Sequence, residues 1–179
     1  MNVELARPNQ HVAVILHSAA GLIGTEAVNR VLARNETLAN TAHRIRIIYL
    51  ASMLEWGPIV GHLAVEGFLQ MDDERGGFWC DKGYTAFYDD MREEDARPFI
   101  EALNFQKAVE TPVLSSEAWR RCDATHVVCT KDRAVLPDWQ VRLAQHYGMR
   151  IVKMDTAHCP FISCPKDFVG TFDGILKES

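Results

Sequence analysis

The sequence has no basic stripe, no long apolar run and no even set of cysteines, and each shortage removes a class of function. Lysine and arginine number 19 against 24 aspartates and glutamates, giving a formal charge of −5. Nothing is concentrated enough to neutralise a phosphate backbone, so nucleic acid is not an expected partner. No apolar stretch approaches the roughly 20 residues that a membrane-spanning helix needs, so no membrane is expected either. The opening residues Met1-Asn2-Val3-Glu4-Leu5-Ala6-Arg7-Pro8 lack the apolar core of a secretory signal. Five cysteines is an odd count in a chain large enough to fold without staples. They read as reduced thiols of a cytoplasmic protein. Cys129 lies in an apolar run and reads as core. His158-Cys159 with Cys164 lacks the second paired set of a structural metal site, so neither metal nor other cofactor is expected.

What is present is an ordinary globular composition: 179 residues, 47% of them hydrophobic. That length suits one domain with room for an insertion. The organising stretch is Val12-Ala13-Val14-Ile15-Leu16-His17-Ser18-Ala19-Ala20-Gly21. A short, continuously apolar, β-branched run reads as a strand buried on both faces. It stops on His-Ser, and small residues follow that can turn sharply and press a helix against the sheet. Leu22, Ala27, Val28, Val31 and Leu32 carry helical spacing to about Ala33. A serine at such a turn holds its hydroxyl above the sheet, and the next backbone N–H, that of Ala19, becomes an oxyanion donor. Leu16 and Ala20 occupy the glycine positions of G-x-S-x-G, so the local pattern also fits a serine that only caps a buried helix.

Further along, 35–43 reads as a polar connection and Ile45 to Ala51 as a second buried strand, making a parallel βαβ unit. The stretch 52–117 has no comparable strand run. It holds Gly57-Pro58, Gly76-Gly77 and Gly83, with aromatics at Phe68, Phe78, Trp79, Tyr84, Phe87 and Tyr88, and a helical pattern from Asp95 to Val109. It reads as an inserted, mostly helical cap within a single domain 1–179. Its aromatics suit either the roof of an apolar pocket or the core of a small lobe. The sheet resumes at Ala124 to Thr130, followed by a turn and a helix up to Gly148. Arg150 to Met154 is a fourth strand, and a last helix from Pro165 to Leu176 turns Phe168, Val169, Phe172 and Ile175 inward.

Ser18, Asp132 and His158 each stand just beyond the carboxyl end of an expected parallel strand, the edge at which open α/β sheets bind ligands. Serine is a weak nucleophile near neutral pH; an imidazole must take its proton, and a carboxylate must fix that imidazole's tautomer and stabilise its cation. Asp138 reads instead as a helix-opening residue, and Asp155 lies too near His158 in sequence to reach it from a separate strand. His17 reads as a structural neighbour of Ser18, because adjacent residues at a sharp turn point apart.

The order Ser, Asp, His is that of the α/β-hydrolases, and the chain resembles that family, in particular its methylesterase and hydroxynitrile-lyase group with fungal-type relatives. The matching pieces are Leu16-His17-Ser18-Ala19-Ala20-Gly21, Phe87-Tyr88-Asp89-Asp90, Thr111-Pro112 with Ala118-Trp119, Val127-Val128-Cys129-Thr130-Lys131-Asp132-Arg133-Ala134 and Ala157-His158-Cys159-Pro160-Phe161. Fungal-type relatives carry a bulky residue before His-Ser, as Leu16 stands here. The resemblance implies Ser18 as nucleophile, His158 as base, Asp132 as orienting carboxylate and the Ala19 N–H as an oxyanion donor, acting on a small, largely apolar ester.

In that family several strands precede the nucleophile, and a loop after the third supplies the other oxyanion donor. Here the nucleophile strand begins about ten residues from Met1, so the resemblance implies a truncated, partial fold: a parallel half-sheet like strands five to eight, with flanking helices and an inserted cap. The nucleophile strand would be left as an edge at which a second copy could pair. Loss of one oxyanion donor costs roughly 10²–10³ in turnover, about 3–4 kcal/mol. A catalytically weak remnant that binds a ligand or partner, or a lyase using the same triad, is therefore the alternative to an active esterase.

Overall fold

A computed structural model describes residues 11–54, 62–63, 66–108 and 112–178. Residues 1–10, Gly57-Pro58, Val109 and Thr111 of the sequence reading lie outside the described residues. The chain divides into two compact units, one comprising Met1–Leu54, Thr111–Val128 and Asp138–Val152, the other Glu55–Glu110, Cys129–Pro137 and Lys153–Ser179.

The first unit is built on β1 (Val12–His17), α1 (Ala20–Ala33), α2 (Glu36–Asn40) and β2 (Ile45–Leu50). β1 and β2 pair in parallel from Val12 opposite Ile45 to His17 opposite Leu50, as a strand–helix–strand crossover requires. β2 is buried along most of its length, with Ile47, Ile48 and Tyr49 fully inaccessible. β1 is not buried on both faces as its apolar run suggests. Among the described residues it pairs with one strand alone, β2, and Ala13 and Ile15 are exposed where Leu16 is buried. The polar connection 35–43 is more ordered than its composition suggests, holding α2 and the start of a 3₁₀ turn, Ala42–Arg44.

α1 is helical because Leu22, Val28 and Leu32 recur on one buried face. Two glycines let it approach the strands: a Cβ on Gly21 would lie 2.3 Å from the Met53 carbonyl oxygen, and one on Gly24 2.2 Å from a Leu16 methyl. The remaining strands of this sheet are β6 (Asp123–Cys129) and β7 (Arg150–Met154), in the order β1-β2-β6-β7, with β2 and β6 parallel. A short helix, Ala118–Arg121, leads into β6, and the helix Pro137–His146 lies between β6 and β7 in sequence.

Within the second unit, the stretch expected to be mostly helical carries strands as well. β3 (Leu69–Asp72), β4 (Gly77–Cys80) and β5 (Gln106–Lys107) form an antiparallel sheet in that order. Gly76-Gly77 forms the end of the turn into β4: Gly76 has φ 65°, and Gly77 begins β4 where a Cβ would meet the Gln106 carbonyl oxygen at 2.4 Å. A π-helical turn, Tyr84–Tyr88, precedes α3 (Glu93–Glu101). The last two helices are α6 (Pro160–Ser163) and α7 (Pro165–Lys177) if the two short-to-medium helices Ala118–Arg121 and Pro137–His146 are α4 and α5. α7 buries Phe172 and Ile175, but Val169, expected inside, is 61% exposed.

Candidate active site

Each of the three singled-out side chains follows the carboxyl end of a strand: Ser18 after β1, Asp132 after β6 and His158 after β7. Ser18 sits at a backbone elbow with φ 54°, left-handed territory that non-glycine residues seldom occupy. Holding it there costs about 1–3 kcal/mol, and the surroundings supply the restraint. The Ser18 N–H donates to the Leu50 carbonyl at 3.1 Å. Its own carbonyl accepts from Gly21 N–H at 3.1 Å, Met53 N–H at 3.2 Å and the Ser52 hydroxyl at 2.8 Å. Ala19 caps α1, and the leading N–H groups of a helix have no intrahelical acceptor.

Asp132 and His158 are brought together in the second unit. The His158 ring Nδ1 lies 2.8 Å from Asp132 Oδ2, with Asp132 2% and His158 3% exposed. The other carboxylate oxygen accepts the Ala134 and Val135 N–H groups at 2.8 and 2.9 Å. Asp132 is thus fixed by its own turn and offers its second oxygen to the imidazole. An ionised carboxylate only accepts, so in this pair Nδ1 is the nitrogen that carries the hydrogen. The loops are tied by Lys131 N–H donating to the Thr156 carbonyl at 2.9 Å. The Phe87 ring lies over the imidazole, 5.4 Å between centroids.

The competing acids are engaged otherwise. Asp155 binds Lys131 Nζ at 2.9 Å and the Thr130 hydroxyl at 3.0 Å, on the surface. Asp138 sits in the first turn of α5. Burial pushes the Cys159 thiol, beside His158, up to about 12, and Cys129 to about 12 as well, so neither is a thiolate near neutral pH. No group of three or more metal-ligating side chains occurs among the described residues, and no helix among them is long and apolar enough to cross a membrane.

Two contributors escaped the sequence reading. Ser52, just past β2, holds the Ser18 carbonyl; its place after a second strand end was the available signal. Asp90, within the Phe87-Tyr88-Asp89-Asp90 piece, accepts the Ala157 N–H at 2.7 Å and the Ser163 hydroxyl at 2.9 Å, on either side of His158. No periodicity announces a contact made by so distant a stretch of chain.

A family model, the alpha/beta hydrolase family, matches residues 3–171. No curated protein matches significantly. Among solved structures, a variant of polyneuridine aldehyde esterase superposes with TM-score 0.69 at 13% identity, over 98% of this chain and 76% of its own. A variant of tomato methylketone synthase I gives 0.66 at 16%, over 99% and 76%. A methylesterase from Arabidopsis gives 0.64 at 16%, over 96% and 71%. At such identities the superpositions speak for the fold, and the family match spans nearly the whole sequence: the chain belongs to the alpha/beta hydrolase family.

Proposed function

We propose that this chain is a serine esterase that cleaves small, largely apolar esters through an acyl-enzyme. The observation that carries the reading is the buried Asp132–His158 hydrogen bond, which leaves Nε2 as a base. In the proposed reaction His158 Nε2 takes the Ser18 hydroxyl proton as Oγ bonds to the ester carbonyl carbon. The carbonyl π electrons move to oxygen, and the Ala19 N–H stabilises that oxyanion. Collapse expels the alcohol, which receives the proton from His158, leaving Ser18 acylated. Water then repeats the sequence, releasing the acid and restoring the serine. Asp132 stays ionised throughout and stabilises the imidazolium. The Phe87 ring against His158 supports an apolar substrate, and the esterases among the similar structures support ester chemistry.

A fluorophosphonate probe tests this directly. The wild-type protein is expected to be labelled at Ser18 and to hydrolyse a short-chain chromogenic ester, with both signals lost in Ser18→Ala. Folded wild-type protein that takes up no probe would refute the reading.

A further inference from the structure

His158 rides on an irregular segment between β7 and α6, so neither a strand ladder nor a helix fixes its backbone. We propose that Asp90 is the positioning residue of this segment, its Oδ2 tying Ala157 N–H and the Ser163 hydroxyl together and thereby holding the His158 imidazole on Asp132. The bonds are 2.7 and 2.9 Å and lie on either side of His158 in sequence. Ala157 is fully inaccessible. Without Asp90 its N–H would be a buried donor with no acceptor, and the segment would have to shift to satisfy it.

The neighbours of Asp90 act on the same two loops. The Asp89 carboxylate reaches Arg133 at 3.6 Å, next to Asp132. The Phe87 ring packs at a tilt against the imidazole. One short stretch of the inserted segment thus braces the turns that bear both members of the hydrogen-bonded pair. The second carboxylate oxygen of Asp90 is buried and has no partner among the described residues. A part-buried carboxylate with one oxygen inaccessible and unsatisfied is a poor choice for stability alone, since an apolar residue of similar size avoids its desolvation. Departures of this kind concentrate where position matters more than stability.

The activity arm of the test rests on the esterase reading; a spectroscopic arm does not. An Nδ1–H hydrogen-bonded to a buried carboxylate gives a far-downfield proton resonance, assignable here by its loss in His158→Gln. In Asp90→Ala, shown folded by its near-ultraviolet circular dichroism, that resonance is expected to vanish or to exchange with water at least tenfold faster. Asp90→Asn, which keeps one acceptor oxygen, is expected to restore it. In the esterase assay Asp90→Ala should lower kcat about 10- to 100-fold, the scale of a misplaced catalytic group, with KM within about threefold. If Asp90→Ala fails to fold, Ser163→Ala carries the test, with exchange of the His158 proton at least threefold faster than in the wild type. An unchanged resonance and exchange rate in the folded variant overturns the proposal. A wild type without esterase activity but with an Asp90-dependent resonance overturns the esterase reading alone.

Discussion

The buried imidazoles of His126 and His158 have opposite circumstances. His158 has a carboxylate on Nδ1. His126, in the middle of β6, is fully inaccessible, lies parallel to the Tyr49 ring at 6.1 Å, and has no hydrogen-bond partner for either nitrogen among the described residues. Burial pushes its pKa down to about 4, against roughly 6.5 for a free imidazole. The unfolded chain therefore binds a proton between pH 6.5 and 4 that the folded chain refuses, so this residue's contribution is present above pH 6.5 and is lost as pH falls towards 4. Its size is about 3 kcal/mol. Urea unfolding of His126→Leu should show a stability near that of the wild type at pH 8 and a clear advantage at pH 4.5. Equal losses in both proteins on acidification would contradict the assignment. The sequence made His158 legible because it follows a strand end in the same way as Asp132; it gave no hint that His126 is unpaired, since an apolar run conceals what lies beside a ring.

At the scale of elements, α1 does more than back the sheet. Its buried polar side chains Thr25, Glu26 and Asn29 form a second stripe beside the apolar one. The Thr25 hydroxyl donates to the Gly21 carbonyl at 2.6 Å and pairs with the Tyr49 hydroxyl at 2.9 Å, linking the turn after Ser18 to β2. Glu26, 5% exposed, accepts the Ser115 N–H and hydroxyl, each at 2.9 Å, and Arg30 Nε at 2.8 Å. Asn29 adds a 2.6 Å bond to the Ser116 carbonyl. The loop before α4 is therefore fastened to α1 by side-chain hydrogen bonds as well as by Leu114, which packs against the core cluster; Val113 beside it is 91% exposed. The Ser115 backbone bond, foremost among these contacts, holds the Glu26 carboxyl down at about 2. Its contribution is present above the ordinary glutamate pKa and disappears as pH falls from about 4.3 towards 2. Glu26→Ala should destabilise by about 2–3 kcal/mol at pH 7, the worth of charge-assisted bonds together with an orphaned donor. Denaturant midpoints measured at pH 7 and pH 2.5 check this, with the gap between variant and wild type narrowing in acid. Hydrophobic spacing announced α1 as a helix, while the polar stripe reads from sequence as ordinary surface.

For the molecule as a whole, the parallel strands were legible because β-branched runs such as Ile45-Arg46-Ile47-Ile48 have few alternatives, and those of β6 and β7 lead into polar turns. The antiparallel sheet of the second unit was not. Leu69-Gln70-Met71-Asp72 and Gly77-Phe78-Trp79-Cys80 contain no β-branched residue, and β5 is two residues long. Their pairing is instead fixed by the turn, where Asp72 Oδ1 accepts the Arg75 N–H at 2.9 Å, and by the Arg75 guanidinium over the Phe105 ring at 4.1 Å. The esterase reading makes a demand on Ser18, Asp132 and His158 jointly. Residues of a single relay lose their value together, so removing a second member costs little once the first is gone. Ser18→Ala and His158→Ala should each reduce kcat by about 10⁴–10⁶. The double variant should fall no more than about threefold below the weaker single variant. Steady-state kinetics on one chromogenic ester measures all four proteins, with contaminating activity set by a mock purification. Losses that multiply would mean that the serine and the histidine serve separate purposes, and that the carboxylate–imidazole pair acts on something other than the Ser18 hydroxyl.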